Sequence, residues 1–228
     1  MAKVVRVTEI EIAQDPLWED AYLRFESPEQ EVEKFCKRLR RLGADRWSKD
    51  GEVVELFCGR GGAIHAWHRL GFRRVSGVDL SERLLRCFDG EATLYAADAR
   101  QLPFASASQD IVAVQGGLHH LPLLPDDLDR TLAEVRRVLK PSGHFVAVEP
   151  WLTPFLHVVH GVTSQPIARR LVPKFDAFAE MVAREAATYF AWLDKPDEVR
   201  ACFERHFVLQ TCRTGFGKIE IVGQPRVV

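Results

Sequence analysis

Three short apolar runs end in residues that could hold a nucleotide. Residues 53–57 pass directly into a glycine turn that contains Gly59 and Gly61. A second run ends at Asp79 and a third at Asp98. Glycine lets a backbone approach a ligand closely and take positive φ. A carboxylate at a strand end can accept hydrogen bonds from both hydroxyls of a ribose. We therefore expect one edge of a nucleotide-type pocket here.

Each of these features also has an interpretation that needs no ligand. The glycines could form only a tight turn, and Asp98 could be only a turn residue. Asp79 could cap the helix that follows it, but Ser81 can cap that helix alone, which would leave Asp79 surplus to the structure. Asp98 could instead accept the exocyclic amino group of an adenine. Leu80 and Ala99 would then supply an apolar slot and a backbone N–H for the ring.

Candidate general bases follow two later apolar runs, although the sequence does not identify a catalytic residue. His119 and His120 come after the predicted fourth strand, and Glu149 ends the predicted fifth. Proton removal by such a group typically contributes about 10²–10⁴-fold to a rate. His157 and His160 have a spacing that could suit a metal, but no carboxylate or cysteine lies nearby in the sequence. We therefore expect no metal site.

Alternating strands and helices must position these residues. The strands are apolar without clean alternation, as in a sheet that is buried on both faces. This order predicts an α/β fold with a parallel sheet and right-handed crossovers. The predicted strands cover residues 53–57, 74–78, 93–97, 110–114 and 144–149, and the predicted helices cover 62–70, 81–88 and 127–139.

Both ends of the chain add segments around this core. Ser27 and Gln30 form a capping-box pattern that predicts a helix ending at Gly43. Residues 150–173 hold four prolines and are expected to be irregular, as a lid or substrate-side insertion. Further predictions are one amphipathic helix over 174–193, a short helix over 197–205, and a hairpin of 206–213 and 216–223 around Thr214-Gly215.

Composition limits the class of protein. The 228 residues are 46% hydrophobic and 28% charged, which suits one folded domain. The net charge of −1 gives no electrostatic reason to expect nucleic acid or an anionic membrane as a partner. The five cysteines include no Cys-x-x-Cys pair, and the chain starts without a signal-peptide pattern. We expect reduced thiols and a cytoplasmic protein.

Taken together, the motifs resemble the class I S-adenosylmethionine-dependent methyltransferases, in the small-molecule group that includes the ubiquinone/menaquinone methyltransferases. The resemblance spans roughly residues 50–223. It departs at Phe57, where the family commonly has glycine, and a side chain there would crowd the methionine end of the cofactor. The matching segments are Glu55–Gly61, Asp79, Asp98 with Leu102–Phe104, Asp110–Gln115, Leu139–Phe145 and the closing hairpin.

The resemblance implies a seven-stranded methyltransferase fold, a Rossmann-like doubly wound sheet with an antiparallel last strand. It implies a single domain over 1–228, with an amino-terminal helical cap at 1–46 and a lid at 150–192. S-adenosylmethionine is the implied cofactor. Its implied contacts are Gly59 and Gly61 at the methionine, Asp79 at the ribose, Asp98 and Ala99 at the adenine, Gln115 in the pocket wall, and Tyr22 or Arg24 over the carboxylate. Glu55 and Leu80 are further implied cofactor contacts.

Two alternatives stay open beside a methyltransferase for a small-molecule acceptor. A nicotinamide-dependent dehydrogenase would need a third glycine at position 64, which is Ile64. A non-catalytic module could bind the same cofactor as a sensor or assembly partner. Residues 115–118 lack the Asn-Pro-Pro-aromatic motif of amide or base amino methylation. The atom methylated and the oligomeric state are open.

Overall fold

A computed structural model of the protein describes residues 2–7 and 15–226. Its eight-stranded sheet has the order β1-β4-β3-β2-β5-β6-β8-β7. The strands are β1 (Lys3–Arg6), β2 (Glu52–Leu56), β3 (Arg74–Asp79), β4 (Thr93–Ala96), β5 (Gln109–Gln115), β6 (Leu139–Pro150), β7 (Phe207–Gly215) and β8 (Lys218–Pro225). All pairings are parallel except those of β8 with β6 and β7.

Helices cover both faces of the sheet. They are α1 (Pro16–Phe25), α2 (Pro28–Leu42), α3 (Gly62–Arg69), α4 (Glu82–Leu85), α5 (Asp126–Val138), α6 (Pro154–Thr163), α7 (Pro166–Leu171), α8 (Pro173–Arg184), α9 (Ala186–Asp194) and α10 (Pro196–His206). Among the described helices, none is long and apolar enough to cross a membrane.

Alternate residues of the central strands enter two separate cores. Val54 packs with side chains of α5, α9 and α10 on one face of the sheet. Val53 packs with side chains of α2 and α3 on the other face. Both valines are almost completely buried, because successive strand residues point to opposite faces and each face is covered. The predicted α/β class and doubly buried sheet are therefore confirmed.

The strand order reverses next to β2, and this reversal creates the site. β2 lies between β3 and β5, so the connections on its two sides run to opposite faces. Ligands of open α/β sheets bind outside the carboxyl ends of the strands at such a point. The carboxyl ends of β2, β3 and β5 bring the glycine turn, Asp79 and Gln115 to one edge.

Local capping signals were reliable guides to the first long helix. The side chain of Ser27 accepts from the backbone N–H of Gln30, and the side chain of Gln30 accepts from the backbone N–H of Ser27. Gly43 ends α2 in the left-handed region, at φ 102°. The predicted capping box and C-cap are confirmed.

The amino-terminal segment differs from the expected helical cap. β1 pairs in parallel with β4 at one edge of the sheet, which makes eight strands rather than seven. α1 begins after Asp15, whose side chain accepts from the N–H groups of Leu17 and Trp18. Residues 8–14 lie outside the described part of the chain. The amino-terminal segment therefore contains a strand beside the helices α1 and α2.

The segment expected to be irregular contains two helices. Thr153 caps α6, and Pro154 and Pro166 occupy first-turn positions of α6 and α7. Proline lacks the N–H that a first turn leaves unpaired, so it favours helix starts as well as turns. The prediction of irregular structure over 150–173 is therefore wrong.

Two predicted helices and the predicted turn also need correction. The helix predicted over 174–193 is divided between α8 and α9 at Glu185. The helix predicted over 81–88 is reduced to α4, because Cys87 and Phe88 continue with shorter-range backbone bonds. The hairpin turns at Phe216 and Gly217, which both have positive φ as a two-residue turn of this kind requires.

Candidate active site

A cavity of about 840 Å³ lies at the carboxyl edge of the sheet. Its walls combine strand-end residues with side chains from α1, α8 and α9. The predicted cofactor residues that line it are Glu55, Gly59, Asp79, Leu80, Asp98, Ala99, Gln115 and Tyr22. The sequence therefore indicated most of one wall, and chain segments distant in sequence complete the enclosure.

The glycine turn is shaped by positive φ at alternate residues. Phe57, Gly59 and Gly61 have φ values of 53°, 52° and 85°. A Cβ at Gly59 would lie 2.7 Å from the hydroxyl of Tyr22, so the turn can approach Tyr22 only without a side chain. A Cβ at Gly61 would lie 2.2 Å from the ring of Phe88, and Gly61 does not line the cavity.

The side chain of Phe57 fills the space beside Gly117, which has no side chain of its own. A Cβ at Gly117 would lie 2.2 Å from Cγ of Phe57. The Phe57 ring fits because residue 117 has no side chain, and a larger residue at position 117 would overlap the ring. Phe57 also lines the cavity, where it narrows the space beside the turn.

Asp79 holds the turn and the following helix together. Its Oδ2 accepts from the N–H of Gly59 and its Oδ1 from the N–H of Ser81, each at 2.8 Å. Ser81 caps α4 through the N–H of Leu84. The cap prediction for Ser81 is confirmed, but the prediction that Asp79 is surplus to the structure is wrong. Each Asp79 oxygen keeps a second lone pair, and desolvation raises the pKa of this carboxyl.

Asp98 is held by an arginine that the sequence reasoning missed. Arg100 donates to Oδ2 of Asp98 from Nη2 at 2.7 Å and from Nε at 3.0 Å, and its own N–H bonds to Oδ1. Arg100 also contacts Asp127 at 3.0 Å. Although burial opposes ionisation, Arg100 lowers the pKa of Asp98. Asp98 is therefore favoured in its ionised form, as one partner of an ion pair with Arg100 at this edge of the cavity.

Glu55 lies beneath the turn with two donors. Nε1 of Trp67 donates to Oε2 of Glu55 at 2.8 Å, and Nε2 of Gln115 donates to Oε1 at 3.3 Å. Glu55 is 1% exposed, and burial raises its pKa to about 7 despite these bonds. A cationic group in the adjacent cavity would favour the ionised form.

His119 is held on both ring nitrogens by carboxylates. Nδ1 lies 2.7 Å from Oε2 of Glu149, and Nε2 lies 3.7 Å from Oε1 of Glu185. Oε1 of Glu149 accepts the N–H groups of Gly117 and Leu118 at 2.9 Å. Burial disfavours the charged imidazole, but the two carboxylates outweigh it and raise the pKa of His119 to about 10. Glu149 does not itself line the cavity.

Glu185 joins both ends of the chain at the cavity and was not found from the sequence. Its Oε2 lies 3.0 Å from Nδ1 of His120 and accepts from Nε1 of Trp18 at 2.8 Å. The Trp18 ring stacks on Tyr22 with centroids 5.6 Å apart. Glu185 lies within residues 174–193, which the sequence predicts to be one helix, so no local pattern marks it as a site residue.

The outer rim of the cavity is joined by charged pairs between α1 and α8. Arg184 contacts Asp15 at 3.0 Å, and Lys174 contacts Glu26 at 2.7 Å. Arg24 lies outside the cavity, 3.7 Å from Asp176. The structure therefore places Tyr22, and not Arg24, over the turn.

The two histidines considered for a metal take different positions. Nε2 of His160 lies 3.0 Å from the hydroxyl of Tyr189, which lines the cavity, and burial lowers the pKa of His160. His157 precedes it on the exposed side of α6.

Comparison with known proteins agrees with this geometry. Residues 54–147 match the family described as "Methyltransferase domain". The chain is 35% identical over 106 residues to the ubiquinone/menaquinone biosynthesis C-methyltransferase UbiE of Acidiphilium cryptum, covering 42% of this chain and 41% of that protein. Residues 54–147 are therefore similar to a methyltransferase domain, which agrees with the resemblance to the class I S-adenosylmethionine-dependent methyltransferases.

Other proteins similar to this chain carry different names. It is 35% identical over 116 residues to dimethylglycine N-methyltransferase of Parasynechococcus marenigrum, covering 47% of the chain and 40% of that protein. It is 27% identical over 144 residues to mRNA cap guanine-N(7) methyltransferase of Saccharomyces cerevisiae, covering 54% of this chain and 33% of that protein. The chain thus spans less than half the length of these three relatives.

Solved structures share the methyltransferase fold. The PH0226 protein of Pyrococcus horikoshii superposes with a TM-score of 0.67 at 21% identity, covering 92% of this chain and 98% of that chain. Geranyl diphosphate C-methyltransferase of Streptomyces coelicolor gives 0.53 at 18% identity, covering 78% and 71%, and its structure contains S-adenosyl-L-homocysteine. Together with the family match, these structures support S-adenosylmethionine as the cofactor.

Proposed function

We propose that this protein transfers a methyl group from S-adenosylmethionine to a small-molecule acceptor. The observation that carries the proposal is the cavity at the carboxyl edge of the sheet, which Asp79, Asp98 and Gly59 of the glycine turn all line. Its volume of about 840 Å³ lies within the range of about 300–1,000 Å³ that is usual for small-molecule sites. The volume supports a cofactor and an acceptor in one enclosure.

The proposed cofactor pose follows the arrangement of charge. The free lone pairs of Asp79 would accept the ribose hydroxyls, and Asp98 with Ala99 would face the adenine. Gly59 would lie against the methionine end, where ionised Glu55 favours its ammonium group. Tyr22 would cover that end, because its hydroxyl already lies over the turn.

Methyl transfer needs mainly alignment. The sulfonium makes its methyl carbon electrophilic, so the protein must hold a nucleophile in line with the carbon–sulfur bond. Such orientation can be worth an effective molarity of about 10⁵–10⁸ M. Helices α1, α8 and α9 would supply it by enclosing the acceptor and excluding water.

The three candidate bases do not have equal access to an acceptor. Carboxylates face both ring nitrogens of His119, and Glu149 lies behind it. These two residues therefore serve best as positioning groups. His120 lines the cavity and is 29% exposed at its side chain, so it is the candidate with the most open approach.

A small acceptor is favoured over a nucleic acid by the form of the site. The cavity is bordered by α1 on one side and by α8 and α9 on the other, and it is a local concavity, whereas a polynucleotide needs an extended, basic path. The net charge of −1 offers no such path overall. We further propose a cytoplasmic, single-domain protein in which α1 and α2, together with residues 150–192, cover the cofactor.

Calorimetry and turnover test the proposal in two steps. S-adenosylmethionine and S-adenosylhomocysteine should each bind, and labelled methyl should pass to at least one member of a panel of small hydroxyl, amine and carbon acceptors. Failure of both ligands to bind would exclude the proposal. Binding without transfer to any acceptor would favour the non-catalytic module instead.

A further inference from the structure

A cluster of two imidazoles and one carboxylate faces the cavity beside the predicted cofactor residues. His119, His120 and Glu185 each offer one ligand atom, and these atoms lie within 4.8 Å of one another. We propose that this cluster binds a divalent transition-metal ion, with Zn²⁺ the ion that suits its ligand types. The inference rests on the proposed function, since the ion would hold the methyl acceptor.

The spacing of the ligand atoms fits a shared ion. Oxygens of Glu185 lie 3.0 Å from Nδ1 of His120 and 3.7 Å from Nε2 of His119. Two ligands at about 2.0–2.1 Å from a tetrahedral zinc are about 3.3 Å apart. These two separations, each to a different oxygen of Glu185, bracket that value. All the ligand atoms lie within 4.8 Å of one another, so rotation of the rings and the carboxylate toward a common centre would bring them to one ion.

The outer contacts of the cluster are those that orient metal ligands. A ligating histidine usually donates its other ring N–H to a carboxylate, which fixes the ring and its tautomer. His119 has this arrangement through Glu149, whose other oxygen is fixed by the N–H groups of Gly117 and Leu118. Nε1 of Trp18, on α1, donates to Oε2 of Glu185 and thereby orients this carboxylate.

The ligand types select the class of ion. Imidazole nitrogen suits zinc and other first-row transition metals, whereas magnesium and calcium prefer oxygen ligands. Two histidines and a glutamate form catalytic zinc sites that keep a fourth position open. Because all three side chains line the cavity, that open position would face the space proposed for the acceptor.

An acceptor hydroxyl could use the open position as an activated nucleophile. Coordination lowers the pKa of a bound hydroxyl, so its proton can leave to water at neutral pH. The oxygen would then form a bond to the methyl carbon, while the carbon–sulfur bond breaks and leaves its electron pair on sulfur. In this arrangement His119 binds the ion and does not itself remove the proton from the acceptor.

Metal titration of the full chain tests the proposal without relying on activity. The metal-free protein should bind one Zn²⁺ by calorimetry, and Co²⁺ should give the visible absorption of a low-symmetry nitrogen and oxygen site. Glu149→Gln should weaken binding by about 10–100-fold through lost orientation. Glu185→Gln and His120→Asn should weaken it at least as much.

Glu180→Gln is the matched control, because Glu180 lies on α8, five residues before Glu185, and pairs with Arg184 outside the cluster. Equal Zn²⁺ affinity in Glu185→Gln and Glu180→Gln would overturn the proposal, as would failure of both Zn²⁺ and Co²⁺ to bind. Circular dichroism checks folding, and His120→Asn decides the matter if Glu185→Gln unfolds. Cofactor calorimetry on the same samples separates failure here from failure of the proposed function.

Discussion

Replacing Asp79 by asparagine separates its structural role from the proposed ribose contact. One carboxylate oxygen becomes an NH₂ group facing the N–H of either Gly59 or Ser81, which now bond to the two oxygens at 2.8 Å. A buried N–H that loses its acceptor costs about 1–3 kcal/mol. A lost charge-assisted bond to a ribose hydroxyl costs about 1.5–3 kcal/mol.

We therefore expect Asp79→Asn to lower the free energy of unfolding by about 1–3 kcal/mol in urea denaturation. The Kd for S-adenosylmethionine should rise about 10–100-fold by calorimetry. Asp110→Asn is the matched control, since Asp110 accepts the N–H of Glu52 at 2.8 Å but does not line the cavity. It should lose stability and keep affinity. Unchanged affinity in Asp79→Asn, or an equal loss in both variants, would refute the ribose contact.

Three further predictions follow from the described contacts. Gly117→Ala should destabilise the protein by about 1–3 kcal/mol because its methyl would lie 2.2 Å from Phe57, and Phe57→Gly should remove most of that cost in urea unfolding of the double variant. Burial raises the pKa of Glu55 from 4.5 to about 7, so the folded state binds this proton more tightly than the unfolded state. As the pH rises from 4.5 to 7, the wild type should therefore lose up to about 3 kcal/mol of unfolding free energy relative to Glu55→Gln. Parallel plots of unfolding free energy against pH for the two proteins would contradict this. A thiol reagent should modify exposed Cys87 and Cys212 quickly, and the three buried thiols only after denaturation.

Local signals explain why part of the site could be predicted. The glycine turn follows a strand whose burial is evident in its own composition, and Asp79 ends the next strand along the chain. Parallel strands bring such ends to one edge whatever the rest of the chain does. The capping box at Ser27 is equally local, because its bonds lie within four residues.

The parts that were missed depend on contacts between distant residues. Glu185 meets His119 across 66 positions and Trp18 across 167, and nothing near it in sequence predicts either contact. β1 becomes a strand by pairing with β4, since four residues alone carry little periodicity. The turn residue Phe57 shows a third case, because its fit depends on the absence of a side chain at Gly117.

The charged rim between α1 and α8 has a consequence for how the cavity exchanges its contents. The pairs Arg184–Asp15 and Lys174–Glu26 join helices from opposite ends of the chain, and both lie partly in solvent. Exposed pairs are worth about 0–1 kcal/mol each and weaken with salt. Added salt should therefore loosen this rim first, while the Phe25–Phe178 ring contact and the Trp18–Glu185 hydrogen bond continue to hold α1 in place.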